Sequence, residues 1–364
     1  MKIGILGAGQ LARMIALAGY PLGLEFIFLD PSADACANNL GQHLHGAYDD
    51  PRLLAELADL ADVVTYEFEN VPADVAEFLA SHTQVHPAPK ALAIAQDRLK
   101  EKAFFQDINI PTAPYAPVNS FADLESAISH IGYPAILKSC TMGYDGKGQS
   151  LIKSVTDLDS AWDVLAGAPA VLEGFVPFNR EVSIIAARSV SGAIAFYPLS
   201  ENTHNGGILR VAKCLDKDAA QTQAQDYITR LLEALDYVGV LALELFDVNG
   251  QLVANEFAPR VHNSGHWTIE GAETSQFENH IRAILDLPLG ATTAVNKTAM
   301  VNFIGNVSST EEILAIPNTH LHLYDKTPRK GRKVAHATVR AETTEQLDTL
   351  LKQLITLADQ VDDS

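Results

Sequence analysis

Leu241-Ala242-Leu243-Glu244-Leu245-Phe246 and Leu252-Val253-Ala254-Asn255-Glu256-Phe257 flank Asn249-Gly250, the strongest hairpin signal in the chain. Each arm sets a carboxylate inside an apolar strand, where an unpaired charge is expensive. Two such acids suit either a solvent-facing edge or a site where a hard cation neutralises them. Mg²⁺ takes one or two carboxylates and completes its shell with phosphate oxygens and water. Side chains alternate along a strand, so a regular two-residue turn at 249–250 would oppose Glu244 to Asn255 and Leu243 to Glu256. The glutamates would then point to opposite faces. Both can serve one metal only if the loop is odd in length or a bulge intervenes, and a three-residue turn with Gly250 left-handed is one way to achieve it.

Upstream, Ile136-Leu137-Lys138 ends a strand, and Gly143-Tyr144-Asp145-Gly146-Lys147-Gly148 follows. Backbone N–H groups of such a loop can wrap a triphosphate while the lysine neutralises it. A plain glycine-rich hairpin turn is the other reading. It is not a Walker A loop, because no GK[ST] opens a helix. Downstream, Ala258-Pro259-Arg260-Val261-His262-Asn263-Ser264-Gly265-His266 is rich in hydrogen-bonding groups for a connector. It faces a substrate or is a surface loop. Lys326-Thr327-Pro328-Arg329-Lys330-Gly331-Arg332-Lys333 packs five cations into eight positions, as an anion site or as a solvated turn.

At the other end, Gly7-Ala8-Gly9-Gln10-Leu11-Ala12 fits GxGxxA between a strand and a helix, and Asp30 ends the next strand. This is nearly a dinucleotide fingerprint, or else a glycine turn without a nucleotide. Residues 1–90 alternate strands (Ile3–Leu6, Phe26–Leu29, Val63–Tyr66) with helices (11–19, 51–60, 72–81), which implies a parallel sheet. One helix is expected over 90–106, then a proline linker. Helix, strand, loop, strand and helix follow to 165, and three strands lie between 170 and 200. A helix over 218–235 precedes the hairpin. The end mixes strands (Ala299–Ile304, His320–Tyr324, Val334–Val339) with a helix over 344–358.

The chain has 364 residues, enough for two or three domains, and a formal net charge of −19. That charge argues against a general nucleic-acid binder, which needs a basic face, but leaves anionic small molecules open. Three cysteines without CxxC spacing argue against a disulfide framework or structural zinc and fit a reducing cytosol. No run approaches a membrane span of about 18 apolar residues. A cytoplasmic protein without nucleic-acid or membrane partners is expected.

Gly9-Gln10-Leu11, Gln96-Asp97-Arg98, Lys138, the 143–149 loop with Gln149, Asn255-Glu256, the 258–266 run, Tyr324-Asp325-Lys326 and Gly331-Arg332-Lys333 occur in order over essentially the whole chain. Together they resemble the N5-carboxyaminoimidazole ribonucleotide synthetases, ATP-dependent ligases of purine biosynthesis in the ATP-grasp superfamily. The 258–266 run is the specific part of the likeness; the opening glycines are not.

The resemblance implies α/β and α+β architecture in three domains. These are a Rossmann-like unit over 1–90, an ATP-grasp unit over 91–291 with a lid at about 115–170, and a small C-terminal unit over 292–364. It implies ATP and one or two Mg²⁺, with Mn²⁺ as a possible substitute, and Glu244 and Glu256 as the metal ligands. Arg98 and Lys138 would contact phosphates under Gly143, Tyr144, Asp145, Gly146, Lys147, Gly148 and Gln149. Glu173, Gly174, Phe175 and Val176 would hold adenine and Glu181 the ribose, with His204 and Asn255 in the nucleotide site. Gln10, Leu11, Arg260, His262, Asn263, Ser264, Lys326, Arg332 and Lys333 would bind aminoimidazole ribonucleotide. Asp145, Lys326 and Arg260 are the catalytic candidates, bicarbonate is the third substrate, and a homodimer is implied. A formate-dependent glycinamide ribonucleotide transformylase would share fold and metal site and differ in acceptor. An NAD-dependent oxidoreductase rests on residues 7–30 alone. A nucleotide sensor without turnover would not need both metal glutamates.

Overall fold

The structure is a computed structural model that describes residues 1–141, 143, 148–165 and 167–362. Its first unit is a βα alternation: β1 (Lys2–Leu6), α1 (Gln10–Gly19), β2 (Glu25–Asp30), β3 (Gln42–His45), α2 (Pro51–Leu60), β4 (Val63–Tyr66), α3 (Ala73–Ala80) and β5 (Gln84–Val85). The strands form one parallel sheet in the order β3-β2-β1-β4-β5. Ile3, Ile5 and Leu6 are fully buried because helices cover both faces. Strands β3 and β5 have no counterpart in the sequence reading. They are short edges in which Gln42, His43 and Gln84 interrupt any apolar run.

The single helix expected over 90–106 is two helices, α4 (Pro89–Ala95) and α5 (Arg98–Asp107). Asp97 breaks it by capping α5, accepting from Leu99 N at 2.9 Å and Lys100 N at 3.2 Å. Gln96 is meanwhile anchored outside the helix, donating to Glu69 O at 2.7 Å. Apolar periodicity continues across the break because Ala91, Leu92 and Phe105 all face inward.

The next unit is a four-stranded antiparallel sheet, order β6-β9-β7-β8, built from β6 (Tyr115–Val118), α6 (Phe121–Ile131), β7 (Ala135–Ser139), β8 (Gln149–Ile152), α7 (Leu158–Leu165) and β9 (Ala170–Gly174). Leu124 and Ile128 of α6 and Leu158 and Leu165 of α7 share one core with Leu137 and Leu172 of the sheet. Beyond it come β10 (Arg180–Arg188), β11 (Ile194–Phe196), β12 (Ser200–Asn205), β13 (Ile208–Cys214), α8 (Gln221–Ala234), β14 (Gly239–Val248), β15 (Gln251–Ala258), α9 (Thr268–Gly271) and α10 (Gln276–Ile284). The chain closes with β16 (Lys297–Ile304), α11 (Thr310–Ala315), β17 (Thr319–Leu323), β18 (Lys333–Ala341) and α12 (Thr344–Asp362).

The C-terminal strands do not make a sheet of their own. Strand β16 pairs with β13 through Val211↔Val301 and Ala212↔Met300, extending a nine-stranded sheet that runs β15-β14-β10-β12-β13-β16-β18-β17, with β11 on β10. The N-terminal unit is joined to this sheet through α10. Phe277 and Ile281 belong to the same core as Met14, Phe26 and Ala242. Burying each such large side chain stabilises by roughly 1.5–3 kcal/mol, so the two units are held as one block. The cavity described next lies along their seam.

Candidate active site

In the first sheet the strand order reverses between β1 and β4, and a crevice opens at the carboxyl ends of strands at such a reversal. Residues 7–11 leave β1 and residues 67–70 leave β4 there. With the lid and the central sheet they enclose a cavity of about 620 Å³. Gln10, Leu11, Glu67 and Glu69 line it from the first unit; Lys138, Gly143 and Gln149 from the lid; Arg98 from α5. Glu181, His204, Glu244, Asn255 and Glu256 come from the central sheet, Arg260, His262 and Asn263 from the loop after β15, and Lys333 from the start of β18.

The glycine turn is already filled. Glu67 directs its carboxylate onto the start of α1, accepting from Gly9 N and, at 2.9 Å, from Ala12 N. A Cβ on Gly9 would lie 2.5 Å from Glu67 Oε1. The carboxylate stands where a dinucleotide phosphate would meet a helix N-terminus. Asp30 is likewise engaged, accepting from Ala8 N at 2.9 Å and Tyr48 Oη at 3.0 Å. Residues 7–30 are therefore a self-satisfied turn, and the oxidoreductase reading loses its support.

The acidic hairpin takes the bulge, not the odd-length loop, of the two arrangements that could align its glutamates. Val248 opposes Gln251, so the loop is the two residues Asn249 and Gly250, with φ of 53° and 86°. Both positive angles fit the hairpin turn that Asn-Gly favours. The register holds through Leu245↔Ala254 and then shifts, so that Glu244 opposes Glu256 and Asn255 is the extra residue of a bulge. The bulge, not the turn, puts both carboxylates on one face.

Arg98 Nη1 donates to Glu256 Oε2 at 2.7 Å. Burial pushes the Glu256 carboxyl up, but the Arg98 charge and hydrogen bond overcome this and hold it well below the usual range. Beside it, burial and the Glu256 charge push the Glu101 carboxyl up to about 8. Glu101 Oε1 accepts from Phe257 N at 2.7 Å, fixing β15 just after the bulge. Asn255 Oδ1 is buried without a hydrogen-bond partner. Among the described residues no group of three or more His, Cys, Asp or Glu is arranged to hold a metal. The donor set is instead two opposed carboxylates and one orphan amide oxygen, all hard ligands. That fits Mg²⁺ completed by phosphate oxygens.

A hydrogen-bond chain approaches Glu244 from behind. Asn202 Nδ2 donates to Ser183 Oγ at 3.0 Å, and Ser183 Oγ donates to Ser264 Oγ at 2.7 Å. Ser264 Oγ lies 2.8 Å from His262 Nδ1, which also accepts from Ser264 N at 3.3 Å. With Nδ1 accepting, the ring carries its proton on Nε2, which lies 3.0 Å from Glu244 Oε1. Ser264 is fully buried and touches the site through His262 rather than by lining the cavity.

Other expected residues sit as follows. Glu181 Oε2 is 2.9 Å from His204 Nδ1, a close ion contact without hydrogen-bond alignment. Burial lowers the His204 pKa, and Glu181 more than offsets it, leaving it raised. Glu173 does not line the cavity. Its carboxylate is 3.1 Å from both Lys138 Nζ and Lys102 Nζ. Gly174 N and Phe175 N already donate to Pro114 O and Pro134 O, and Val176 O accepts from Phe178 N. Gly148 closes the base of its loop, its carbonyl accepting from Ser139 N at 2.8 Å. Lys326 Nζ donates to Gln10 Oε1, joining the basic cluster to α1. Arg260 pairs with Glu69. Arg332 turns to Thr327 O at 3.2 Å, while Arg329 and Lys330 are exposed, so only part of the cation cluster reaches the site. Tyr144, Asp145, Gly146 and Lys147 lie outside the described residues.

Sequence reasoning missed Glu67, Phe68, Glu69 and Asn70, which line the cavity at the end of β4. Their position just after a strand at the sheet reversal was the available signal. It also missed Phe178 and Phe246, stacked with centroids 4.8 Å apart to give the cavity a flat apolar wall. Phe246 lies two residues from Glu244 on the same strand face, which alternation reveals.

A lid sheet and a central sheet closing on a cleft, with a strand lysine, a glycine loop and opposed carboxylates on an antiparallel hairpin, define an ATP-grasp ligase. Family profiles agree: a ribonucleotide synthetase preATP-grasp domain matches residues 1–96, an ATP-grasp domain 103–277, and a phosphoribosylaminoimidazole carboxylase C-terminal domain 298–349. The N5-carboxyaminoimidazole ribonucleotide synthase of Pseudomonas aeruginosa is 53% identical over 340 residues, covering 93% of this chain and 94% of that one. The crystal structure of the N5-carboxyaminoimidazole ribonucleotide synthetase from Thermus thermophilus superposes with a TM-score of 0.93 at 51% identity, covering 98% of each chain. That of the Aspergillus clavatus N5-carboxyaminoimidazole synthase, in complex with ADP and 5-aminoimidazole ribonucleotide, superposes at 0.93 and 31% identity over 99% of each. The chain belongs to the N5-carboxyaminoimidazole ribonucleotide synthase family.

Proposed function

We propose that this chain carboxylates 5-aminoimidazole ribonucleotide with bicarbonate at the expense of ATP, releasing ADP and phosphate, as a step of purine biosynthesis. The observation that carries the reading is the bulge-aligned pair Glu244 and Glu256, with the orphan Asn255 Oδ1, facing Arg98 and Lys138 across one cavity. A bicarbonate oxygen attacks the γ-phosphorus, the bond to ADP breaks, and carboxyphosphate forms. The exocyclic amine then takes the carboxyl carbon, directly or as released CO₂, and phosphate leaves as the amine loses a proton.

Such a transfer needs positioning and charge neutralisation more than covalent help. Arg98 and Lys138 bind phosphates. Glu244, Glu256 and Asn255 would hold Mg²⁺, which supplies charge neutralisation on the phosphate oxygens. His262, fixed by Ser264 with its proton on Nε2, presents a donor beside Glu244. Adenine rests against Phe178 and Phe246 near the 174–176 strand end, and Glu181 and His204 take the ribose. The ribonucleotide lies by Gln10, Leu11, Arg260, Asn263, Lys326 and Lys333, where cations gather in an otherwise acidic chain. Lys326, Arg260 and Asp145 handle the amine proton and steer CO₂. Three units with limits near 90 and 291, a homodimer and a cytoplasmic location complete the reading; three free cysteines suit a reducing compartment.

The test is ATP hydrolysis with aminoimidazole ribonucleotide, with and without bicarbonate, against glycinamide ribonucleotide plus formate. Bicarbonate-dependent turnover with the first pair is expected. Turnover only with the second would assign the chain to the transformylase reaction.

A further inference from the structure

Helix α5 carries Lys102 one turn beyond Arg98, against Glu173 of the lid sheet, which also bears Lys138. Lys102 is 1% exposed, and its Nζ lies 3.1 Å from Glu173 Oε2, the one carboxylate within ion-pair distance of it among the described residues. Lys138 Nζ donates to the same oxygen at 3.1 Å. Glu173 is 4% exposed on β9, and its other oxygen has no hydrogen-bond partner. One buried carboxylate thus serves two ammoniums, of which only Lys138 borders the cavity.

A buried carboxylate with a single lysine is a closed neutral pair. That lysine reaches an incoming anion only by stranding a buried charge, which is strongly unfavourable. A second resident lysine removes this obstacle and leaves the cluster with a net positive charge. We propose that Lys102 is a positioning residue for nucleotide binding: it stays on Glu173 as the permanent counter-ion, so that Lys138 can turn its ammonium from Glu173 to the ATP phosphates. This rests on the assignment of Lys138 to those phosphates.

The test measures KM for ATP, KM for the ribonucleotide and kcat in the full chain for Lys102→Met, Lys102→Arg, Lys102→Met with Glu173→Gln, and Lys138→Met. Lys102→Met is expected to raise KM for ATP by about tenfold or more. KM for the ribonucleotide stays unchanged, and Lys102→Arg restores the parent value. The double variant also restores it, because a neutral amide no longer competes for Lys138. An unchanged KM for ATP in Lys102→Met, or a double variant as impaired as the single one, overturns the proposal. If Lys102→Met does not fold, Lys102→Gln, which keeps a polar side chain without the charge, takes its place: a raised KM for ATP restored by adding Glu173→Gln supports the role, and an unchanged one overturns it. Lys138→Met separates the two levels. If it weakens ATP while Lys102→Met is silent, only the positioning role fails; if it is itself silent, the phosphate assignment fails and takes the role with it.

Discussion

Glu244 and Glu256 stand opposite each other across β14 and β15 because Asn255 is inserted between Ala254 and Glu256 without a partner on the facing strand. A hairpin with the same turn and no inserted residue would have carried the side chain at 255 opposite Glu244 and sent Glu256 to the far face. The same insertion leaves Asn255 Oδ1 buried and unpartnered beside the two acids.

Glu256→Gln tests that arrangement. The amide keeps the size of the side chain but removes the charge that Arg98 holds at 2.7 Å. Ribonucleotide-stimulated ATP hydrolysis should fall by about a hundredfold or more, the scale on which single electrostatic partners act in such sites. Ribonucleotide affinity, measured by calorimetry, should be retained. Near-parent turnover would rule out Glu256 as the proposed metal ligand.

Ser264→Ala should act on catalysis through His262. It deletes the hydroxyl that faces His262 Nδ1 and leaves the Ser183 hydroxyl without its acceptor, a loss of about 1–3 kcal/mol. The imidazole is then free to lose its contact with Glu244. kcat should drop by about tenfold, with thermal stability lowered only modestly. A stability loss with no change in kcat would make Ser264 purely structural.

Gly9→Ala probes the closed glycine turn. The added methyl meets the Glu67 carboxylate at 2.5 Å, so overpacking should destabilise by about 1–3 kcal/mol in urea unfolding. NADH titrated into the parent protein should give no binding signal, because Glu67 already satisfies Gly9 N and Ala12 N. Saturable NADH binding that is lost in Gly9→Ala would contradict this account of the turn.

His280 governs an acid sensitivity. It sits on α10, with Nδ1 accepting from Val240 N of β14 at 3.1 Å and Nε2 lying 3.0 Å from Thr65 Oγ1 of β4. Burial lowers its pKa from 6.5 to about 3. A base with a depressed folded pKa contributes stability above its unfolded pKa and loses it as pH falls. Below pH 6.5, and until about pH 3, this one residue should therefore cost about 1.4 kcal/mol per pH unit. In His280→Gln, unfolding free energy measured from pH 7 to 4.5 should fall less steeply than in the parent by one proton's slope. Parallel curves would show that the ring is not held neutral.

Much of the fold was legible because local patterns carry it. The βα alternation of residues 1–90, the lid elements and the Asn249-Gly250 turn all follow from apolar runs and turn residues. What misled was local ambiguity. Apolar spacing over 90–106 reads as one helix, and only the Asp97 cap and the Gln96 anchor to Glu69 O divide it. Strand β12 carries polar residues such as Asn202 and His204 because they line the cavity, and β13 carries Arg210, which turns instead to Asn302 O and Asp359. A site-facing strand does not read as an apolar one.

The sequence alone determined which chemistry-bearing residues exist: the Lys138 strand end, the glycine loop, both hairpin acids and the 258–266 run. Tertiary structure decided what each can reach. Face and register depend on pairing, and one unpaired residue at 255 reverses the direction of Glu256. Charge environment depends on contacts distant in sequence, such as Arg98 with Glu256 and Lys102 with Glu173, which no local window contains. The glycine turn shows the same limit. Its spacing promised a phosphate, and a carboxylate from the end of β4, Glu67, took that place.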